Sequence, residues 1–260
     1  MKKISLLMAI FALSINVAQA KEWKQVRIGV EGAYPPFSKT EADGSLTGFD
    51  IDIANALCEE MKVKCTLVKQ DWDGIIPALM SRKFDAIVAT MDITEERKKK
   101  VAFTDKYQHI PARFVAAKGT SFEATDEFMK GKRVGVQRAT TMDEYISDNF
   151  PQAEIKRYGS ADEAYLDLKA GRVDYVMADS AAISDGLLAK EGGDKYEFVG
   201  PKLNDPKWFG EGAGIAIRKQ DKELADNFNQ AIAAIIANGT YKTIQDKYFD
   251  FDVYGGESSQ

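Results

Sequence analysis

"LMSRKFDAIVAT" (residues 79–90) and "LKAGRVDYVMAD" (residues 168–179) carry the same pattern at two places in the chain. In each, a helical leucine is followed by a polar turn, an acidic residue and a run of apolar residues that is typical of a buried strand. The alignment pairs Leu79 with Leu168, Asp85 with Asp174, and Thr90 with Asp179. Upstream, "RIGV" (27–30) matches "RVGV" (133–136). The repeat predicts two lobes of similar topology.

Short β-rich runs alternate with helical patterns through the rest of the chain, which is typical of an α/β fold. The predicted strands are at 26–30, 65–70, 84–89 and 214–218, and the predicted helices are at 48–61 and 72–83. In the second of these helices we expect Asp73 to be the N-cap and Pro77 to lie near the start, where its missing N–H is tolerated.

A long helix is predicted after the last strand. Its apolar stripe consists of Leu224, Phe228, Ile232, Ile235 and Ile236. Asn238-Gly239 is expected to end the helix. We expect this strand and helix to return to the first lobe, so that the chain crosses between the lobes twice. The expected lobes are 21–110 with 213–260, and 111–212.

The first twenty residues have the features of a secretory signal peptide. Two lysines precede an apolar stretch from 4 to 17, which ends in the small-x-small pattern Ala18-Gln19-Ala20. The residue directly after this cleavage point is Lys21 and not a cysteine, so no lipid anchor is expected. No later segment reaches the roughly 18 uninterrupted apolar residues of a transmembrane helix. We expect an exported chain that begins at Lys21 and is not lipid-anchored.

The charge and cysteine content narrow the function further. The formal net charge is −5, with both signs mixed along the chain, and this gives no indication of nucleic-acid binding. Cys58 and Cys65 are the only cysteines. In an oxidising compartment a disulfide is the favoured interpretation. The alternative, a metal site, lacks partners because His109 is the only histidine.

Polar residues follow several of the predicted strands. In open parallel sheets, ligands bind beyond the carboxyl ends of the strands. This rule selects 31–34, 90–92, 137–141 and Asp179 as candidate binding positions, which two lobes would bring together across a cleft. Common signatures of hydrolases, nucleotide-binding enzymes and zinc peptidases are absent from the sequence. A binding protein is therefore favoured over an enzyme.

Five longer segments carry a family resemblance when they are taken together. They are "RIGVEGAYPPF", "GFDIDIANALCEEMKVKC", "MDITEERKKKVAFTDKY", "DLKAGRVDYVMAD" and "NGTYKTIQDKYFDFDVYG". The chain resembles the periplasmic binding proteins for polar amino acids, nearest the lysine/arginine/ornithine, histidine and arginine receptors of ABC importers. The resemblance covers essentially the whole chain after the signal peptide.

The resemblance implies a type II periplasmic binding protein with two α/β lobes. Each lobe has a mixed sheet flanked by helices, and two crossover strands form the hinge. The lobes close over one amino acid, and the loaded monomer docks on an inner-membrane permease. No cofactor, metal or catalytic residue is implied. A periplasmic enzyme on the same scaffold, such as a dehydratase, is the alternative, because fold alone does not determine function.

Four residues match the family's site for the ligand α-carboxylate. Arg97 matches the arginine that holds the carboxylate through a bidentate, charge-assisted pair. Thr90 matches a serine that offers its hydroxyl and backbone N–H. Thr141 is expected to donate from a helix N-terminus, with Thr140 beside it. The alternatives are a solvated arginine and two threonines that only cap a helix.

The remaining contacts concern the ammonium and the side chain of the ligand. Asp179 matches the acid that pairs with the α-ammonium; capping the following helix is the alternative. Tyr34 and Trp72 match two aromatics that enclose the ligand side chain, where cation–π contact favours a cation; core packing is the alternative. Glu31 matches an acid near the far end of the ligand, which selects a basic side chain; a surface acid is the alternative.

Gln137 and Asp92 depart from the residues of related receptors and alter the polarity of the cleft. Gln137 stands where a close relative has leucine. For Asp92 three possibilities remain: contact with the α-ammonium beside Asp179, which we favour, an offset of its charge by a cation such as Arg138, or a helix cap. A basic L-amino acid is the expected ligand, with arginine favoured and lysine, ornithine or histidine possible.

Overall fold

The computed structural model describes residues 23–255, which form a mixed α/β structure with two lobes, each containing a five-stranded sheet. The predicted signal peptide and the expected start at Lys21 lie outside these residues. Within residues 23–255 no helix is long and apolar enough to cross a membrane.

The strands, numbered in chain order, are β1 Gln25–Val30, β2 Ala33–Tyr34, β3 Ser38–Thr40, β4 Leu46–Thr47, β5 Lys64–Lys69, β6 Ala86–Ile87, β7 Ala102–Gln108, β8 Ala112–Ala117, β9 Arg133–Gln137, β10 Glu154–Tyr158, β11 Tyr175–Asp179, β12 Tyr196–Leu203 and β13 Ala213–Ile217. The helices are α1 Phe49–Glu60, α2 Ile75–Met80, α3 Glu95–Lys98, α4 Asp126–Met129, α5 Thr141–Asn149, α6 Ala161–Lys169, α7 Ser180–Ile183, α8 Pro206–Phe209, α9 Lys222–Ala237 and α10 Thr240–Tyr248. Short 3₁₀ turns cover Trp72–Gly74 and Gly193–Lys195, and α7 continues as a π-helical turn over Ser184–Leu188.

The two five-stranded sheets have the same arrangement. The first has the order β5-β1-β6-β13-β7 and the second the order β10-β9-β11-β8-β12. In each, the first three strands are parallel, and the fourth strand runs antiparallel to its neighbours. Strand β13 lies in the first sheet although it follows the whole second sheet in sequence. We call the parts of the chain around these sheets the first and second lobes.

An arginine–aspartate pair occurs at the same place in both sheets. Asp85 Oδ2 accepts hydrogen bonds from the backbone N–H and Nε of Arg27, each at 3.1 Å. Asp174 Oδ2 accepts from the same two groups of Arg133 at 2.8 and 3.1 Å. The repeated "LMSRKFDAIVAT" pattern therefore marks a repeated contact, in which an acid at the start of one strand holds the start of the neighbouring strand.

Most of the predicted elements are present, with local differences. Helix α2 begins only at Ile75, after a 3₁₀ turn, and Asp73 makes no side-chain capping bond. The prediction of Asp73 as N-cap is wrong because the chain turns more tightly at that point. Pro77 is near the start of α2, as predicted. In α9 the predicted apolar stripe is buried except for Ile236, which is 36% exposed.

The two cysteines form a disulfide between α1 and β5. The Cα atoms of Cys58 and Cys65 are 6.1 Å apart. The bond fastens the C-terminal end of α1 to the edge strand of the first sheet. These two thiols are therefore not available as metal ligands.

Candidate ligand-binding site

Side chains from both lobes line a small cavity where the ends of several strands meet. The lining residues are Glu31, Tyr34, Trp72, Ala89, Thr90, Asp92, Arg97, Gln137, Thr140, Thr141, Met142 and Asp179. Ten of these twelve are the predicted binding residues, and Ala89 and Met142 are additional. The cavity volume is about 20 Å³, which is room for roughly one water molecule.

Asp179 ends β11 and lies within this cavity. The Tyr34 hydroxyl, from the first lobe, donates to Asp179 Oδ2 at 2.7 Å. Asp179 occupies the N-cap position of α7, but its side chain makes no capping bond, so capping does not account for the carboxylate. Burial raises the pKa of Asp179 well above its usual range, and the nearby Asp92 carboxylate raises it further. Such a carboxylate is stabilised by a cation that enters the cavity.

Asp92 makes a second contact between the lobes. The Thr141 hydroxyl donates to Asp92 Oδ2 at 2.6 Å. Burial raises the pKa of Asp92, whereas the positive charge of Arg97 and the bond from Thr141 lower it. The cap of α3 is Thr94, so Asp92 does not cap that helix.

Arg138 does not form an ion pair with Asp92 either. Its Nε donates to Asp73 at 2.5 Å. The helix cap is therefore wrong for Asp92, and so is Arg138 as the cation that offsets its charge; Arg97 is the cation whose charge acts on Asp92. Contact with a ligand ammonium beside Asp179 stays a prediction.

Arg97 projects from the short helix α3, whose first turn is capped by Thr94. One guanidinium nitrogen, Nη1, donates to the Asp92 carbonyl oxygen at 3.0 Å. The guanidinium carbon lies 5.3 Å from the centroid of the Trp72 ring, within cation–π distance. Burial lowers the pKa of Arg97, and the surrounding carboxylates of Asp92, Glu144 and Asp179 oppose this effect. The neighbouring lysines Lys98 and Lys99 instead pair with Glu95 and Glu96 on the exposed surface.

Thr90 is held by two buried side chains that sequence reasoning missed. Its hydroxyl donates to Asp50 Oδ2 at 2.9 Å, and its backbone N–H donates to the Tyr107 hydroxyl at 2.9 Å. Tyr107 in turn donates to Asp50 Oδ1 at 2.8 Å. Both donors that were expected to serve a ligand carboxylate are therefore engaged here.

The backbone of Thr90 has an unusual conformation, which its hydrogen bonds to Asp50 and Tyr107 help to hold. Its φ of 47° is in the left-handed region, which non-glycine residues seldom adopt. Asp50 is fully buried, and this burial raises its pKa to about 7 against the lowering effect of its hydrogen bonds. The polar position of Asp50 within the apolar start of α1 is the one sequence signal that could have identified it.

The two threonines at the start of α5 have separate roles. Thr140 is the N-cap: its hydroxyl oxygen accepts from the Asp143 N–H at 3.2 Å, and the hydroxyl donates to the Gln137 carbonyl at 2.7 Å. Capping thus accounts for the Thr140 side chain. Thr141 points toward the first lobe through its bond to Asp92.

Glu31 and Gln137 meet on another side of the cavity. Gln137 Nε2 donates to Glu31 Oε1 at 2.6 Å and to the Gly159 carbonyl at 3.1 Å. Glu31 is only 4% exposed, so its interpretation as a surface acid is wrong. Burial raises the pKa of Glu31 to about 7, and the bond from Gln137 only partly counteracts this.

The two predicted aromatics have contacts of their own. Trp72 Nε1 donates to the Ala139 carbonyl at 3.0 Å, which again joins the two lobes. The Tyr34 ring stacks on Phe37, with centroids 5.6 Å apart. Both rings line the cavity, so they are not simply core residues.

The chain is similar to known proteins over nearly its whole length. Residues 26–251 match the family described as bacterial extracellular solute-binding proteins, family 3. An L-arginine-binding protein of Pseudomonas aeruginosa is 54% identical over 257 residues, covering 98% of this chain and 99% of the relative. The lysine/arginine/ornithine-binding periplasmic protein of Escherichia coli is 39% identical over 254 residues, covering 97% of each chain.

Solved structures are similar over most of the chain. An arginine-specific periplasmic binding protein of Salmonella typhimurium matches with a TM-score of 0.80 and 35% identity, covering 87% of this chain and 99% of that one. An ancestral amino acid-binding protein, described as a precursor of cyclohexadienyl dehydratase, matches with a TM-score of 0.75 and 33% identity, covering 87% and 96%. Because the family match spans nearly all the described residues, the chain belongs to the bacterial extracellular solute-binding proteins of family 3.

Proposed function

We propose that this protein captures a basic L-amino acid, with arginine favoured, and delivers it to the permease of an ABC importer. The observation that carries the proposal is the charge distribution of the cavity. One guanidinium, Arg97, and three carboxylates, Glu31, Asp92 and Asp179, line the same small space. A ligand with one carboxylate and two cationic groups complements this set.

The charges balance when the raised pKa values are included. With all four groups ionised the cavity carries a net charge of −2, while a basic amino acid brings a net charge of +1. Burial raises the pKa of both Asp92 and Asp179. One proton retained by this pair of carboxylates offsets the remaining charge.

In the proposed complex Arg97 and Thr141 hold the α-carboxylate, and Asp179 with Asp92 holds the α-ammonium. Charge-assisted bonds of these two kinds are directional, so they orient the amino acid. Tyr34 and Trp72 pack along its side chain.

Glu31 receives the far cationic group, and Gln137 fixes the orientation of the Glu31 carboxylate. A planar guanidinium matches a carboxylate through two parallel hydrogen bonds, which supports arginine over lysine. The arginine-binding name of the Pseudomonas aeruginosa relative supports the same preference. Thr90 is proposed to line the pocket with Asp50 and Tyr107 as its support.

Binding is proposed to require opening and closure of the lobes. The cavity of about 20 Å³ does not accommodate an amino acid, so the cross-lobe bonds of Tyr34, Thr141 and Gln137 must yield to the ligand. The hinge is proposed to lie where the chain passes between the sheets, near 109–111 and 204–212. Contacts made only in the closed arrangement drive the population toward it.

The cellular setting follows the relatives. The Escherichia coli relative is named a periplasmic protein, and the sequence of residues 1–20 supports export with removal of a signal peptide. We propose a periplasmic monomer. Binding is favoured over catalysis because the named relatives are binding proteins, the precursor of the dehydratase included.

Isothermal titration calorimetry of Asp179→Ala tests the assignment. Removing one partner of a buried charge pair costs about 2–5 kcal/mol, so we expect the Kd for arginine to rise about 30-fold or more. Asp185→Ala is a matched control, because Asp185 is in the same lobe but pairs with the exposed Lys190. Unchanged affinity in Asp179→Ala would refute the ammonium site.

A thermal-shift screen of the twenty amino acids with ornithine and citrulline tests the ligand class, since a bound ligand stabilises the fold by mass action. A shift with glutamine or glutamate alone would refute the basic preference. Product formation from prephenate-like acids would favour the enzyme instead.

A further inference from the structure

Two neighbouring contacts join the lobes at the edge of the cavity. Arg138 Nε donates to Asp73 Oδ2 at 2.5 Å, and Trp72 Nε1 donates to the Ala139 carbonyl at 3.0 Å. We call Trp72, Asp73, Arg138 and Ala139 the rim latch. Trp72 lines the cavity, but Asp73 and Arg138 do not. Their side chains are 40% and 47% exposed, so solvent and salt reach this ion pair.

The second-lobe half of the rim latch is held rigidly by its own lobe. The backbone N–H of Arg138 donates to the Tyr158 carbonyl at 3.0 Å. The N–H of Ala139 donates to the Asp143 carboxylate at 3.3 Å, and Arg157 Nε donates to that same carboxylate at 2.8 Å. Ala139 has a φ of 61°, in the left-handed region that non-glycine residues seldom adopt. These bonds hold the loop in the shape that presents Arg138 and the Ala139 carbonyl to the first lobe.

On the first lobe, the Asp73 carboxylate is free of any capping role and can pair with Arg138. Asp73 lies in the 3₁₀ turn before α2 and makes no capping bond there. Its carboxylate is therefore not needed by the helix that follows. Asp73 and Arg138 can meet only when the lobes are together, because they belong to different lobes.

We propose that Asp73 and Arg138 set the rate at which the bound amino acid leaves, by holding the lobes closed without touching the ligand. The proposal rests on the proposed function above. An interaction that exists only in the closed arrangement shifts the population toward it. It slows opening, and it does not change the rate constant with which ligand enters a molecule that is already open.

The expected effect is modest because the pair is exposed. Ion pairs of this exposure alter an equilibrium by about two- to fivefold. We expect Asp73→Asn and Arg138→Gln each to raise the dissociation rate constant of arginine by that factor. High salt should raise the rate of the native protein and leave the variants nearly unaffected, since screening acts only on the intact pair.

Stopped-flow fluorescence with L-arginine measures these rates. Two designs identify the pair itself: the double variant Asp73→Asn/Arg138→Gln should dissociate no faster than either single variant, and the exchange Asp73→Arg/Arg138→Asp should restore slow dissociation. Asp246→Asn is the control, because Asp246 pairs with Lys242 within α10. Additive effects of the single variants, or rates equal to the native rate, would overturn the proposal.

A second measurement separates this proposal from the proposed function. Spin labels on exposed sites of the two lobes report the inter-lobe distance without any ligand. We expect a larger closed population in the native chain than in Asp73→Asn. If no basic amino acid binds but the closed population still differs between the native chain and Asp73→Asn, the proposed function is refuted. The conclusion that Asp73 and Arg138 hold the lobes closed is then retained. An identical distance distribution in both proteins refutes the latch.

Discussion

Glu31 is expected to make amino-acid binding depend on pH. The side chain is 4% exposed, and its burial raises the pKa to about 7. A cationic ligand group requires the ionised carboxylate, so binding must release any proton that Glu31 carries. The apparent affinity is then divided by 1 + 10^(pKa − pH), which is a factor of about 10 at pH 6 and about 100 at pH 5.

Calorimetric titration with L-arginine between about pH 8 and pH 5 measures this profile. Glu31→Gln is the matched variant, because an amide of the same shape has no proton to release. We expect it to bind more weakly at high pH and to lose the step centred near pH 7. A flat native profile, or the same step in Glu31→Gln, would refute the role given to Glu31.

The raised pKa of Glu31 weakens ligand binding at low pH but stabilises the folded state there. The two pH dependences can therefore be compared in the same protein. A carboxyl whose pKa is higher in the folded state stabilises the fold at low pH, and this stability is lost as the pH rises through the folded pKa. For Glu31 and Asp50 that folded pKa is about 7. Without ligand, the melting temperature should therefore be higher near pH 5 than near pH 8, while the shift produced by arginine should be larger near pH 8.

Two further predictions concern the support of the site and the disulfide. Tyr107→Phe leaves the Thr90 N–H without its acceptor and removes one of the two hydroxyl donors to Asp50. We therefore expect a loss of about 1–3 kcal/mol in unfolding free energy and weaker arginine binding. Calorimetric melting and titration check this, and unchanged values in both would contradict the supporting role of Tyr107. Replacing Cys58 and Cys65 together by alanine should lower the unfolding free energy by roughly 2–3 kcal/mol and leave the Kd for arginine unchanged, because neither residue lines the cavity. Chemical denaturation measures the loss, and an altered Kd would show that the disulfide acts on the site.

The architecture of the lobes could be predicted because it depends on local patterns. Asp85 and Asp174 occur in matching segments, and each makes the same contact with an arginine of the neighbouring strand. The disulfide followed from two cysteines with few alternative partners. The strand-end rule selected positions on both lobes, and the structure brings their side chains to one cavity.

The partners within the cavity could not be predicted in the same way. Thr90 was expected to face a ligand, yet Asp50 and Tyr107 occupy both of its donors. Arg138 was considered a partner for Asp92, yet it pairs with Asp73. Glu31 could have been a surface acid, yet it is buried against Gln137. Each of these contacts joins residues that are far apart in sequence.

The sequence by itself determined the two-lobed α/β organisation and the set of polar residues at the strand ends, because hydrophobic periodicity and an internal repeat are properties of neighbouring residues. Only the tertiary structure decided which carboxylate meets which donor and how deeply each is buried. Those outcomes depend on how closely the two lobes approach, and the same approach raises the pKa values of Glu31, Asp92 and Asp179. Burial across a cleft depends on the folded arrangement of both lobes, so it cannot be predicted from a local sequence pattern.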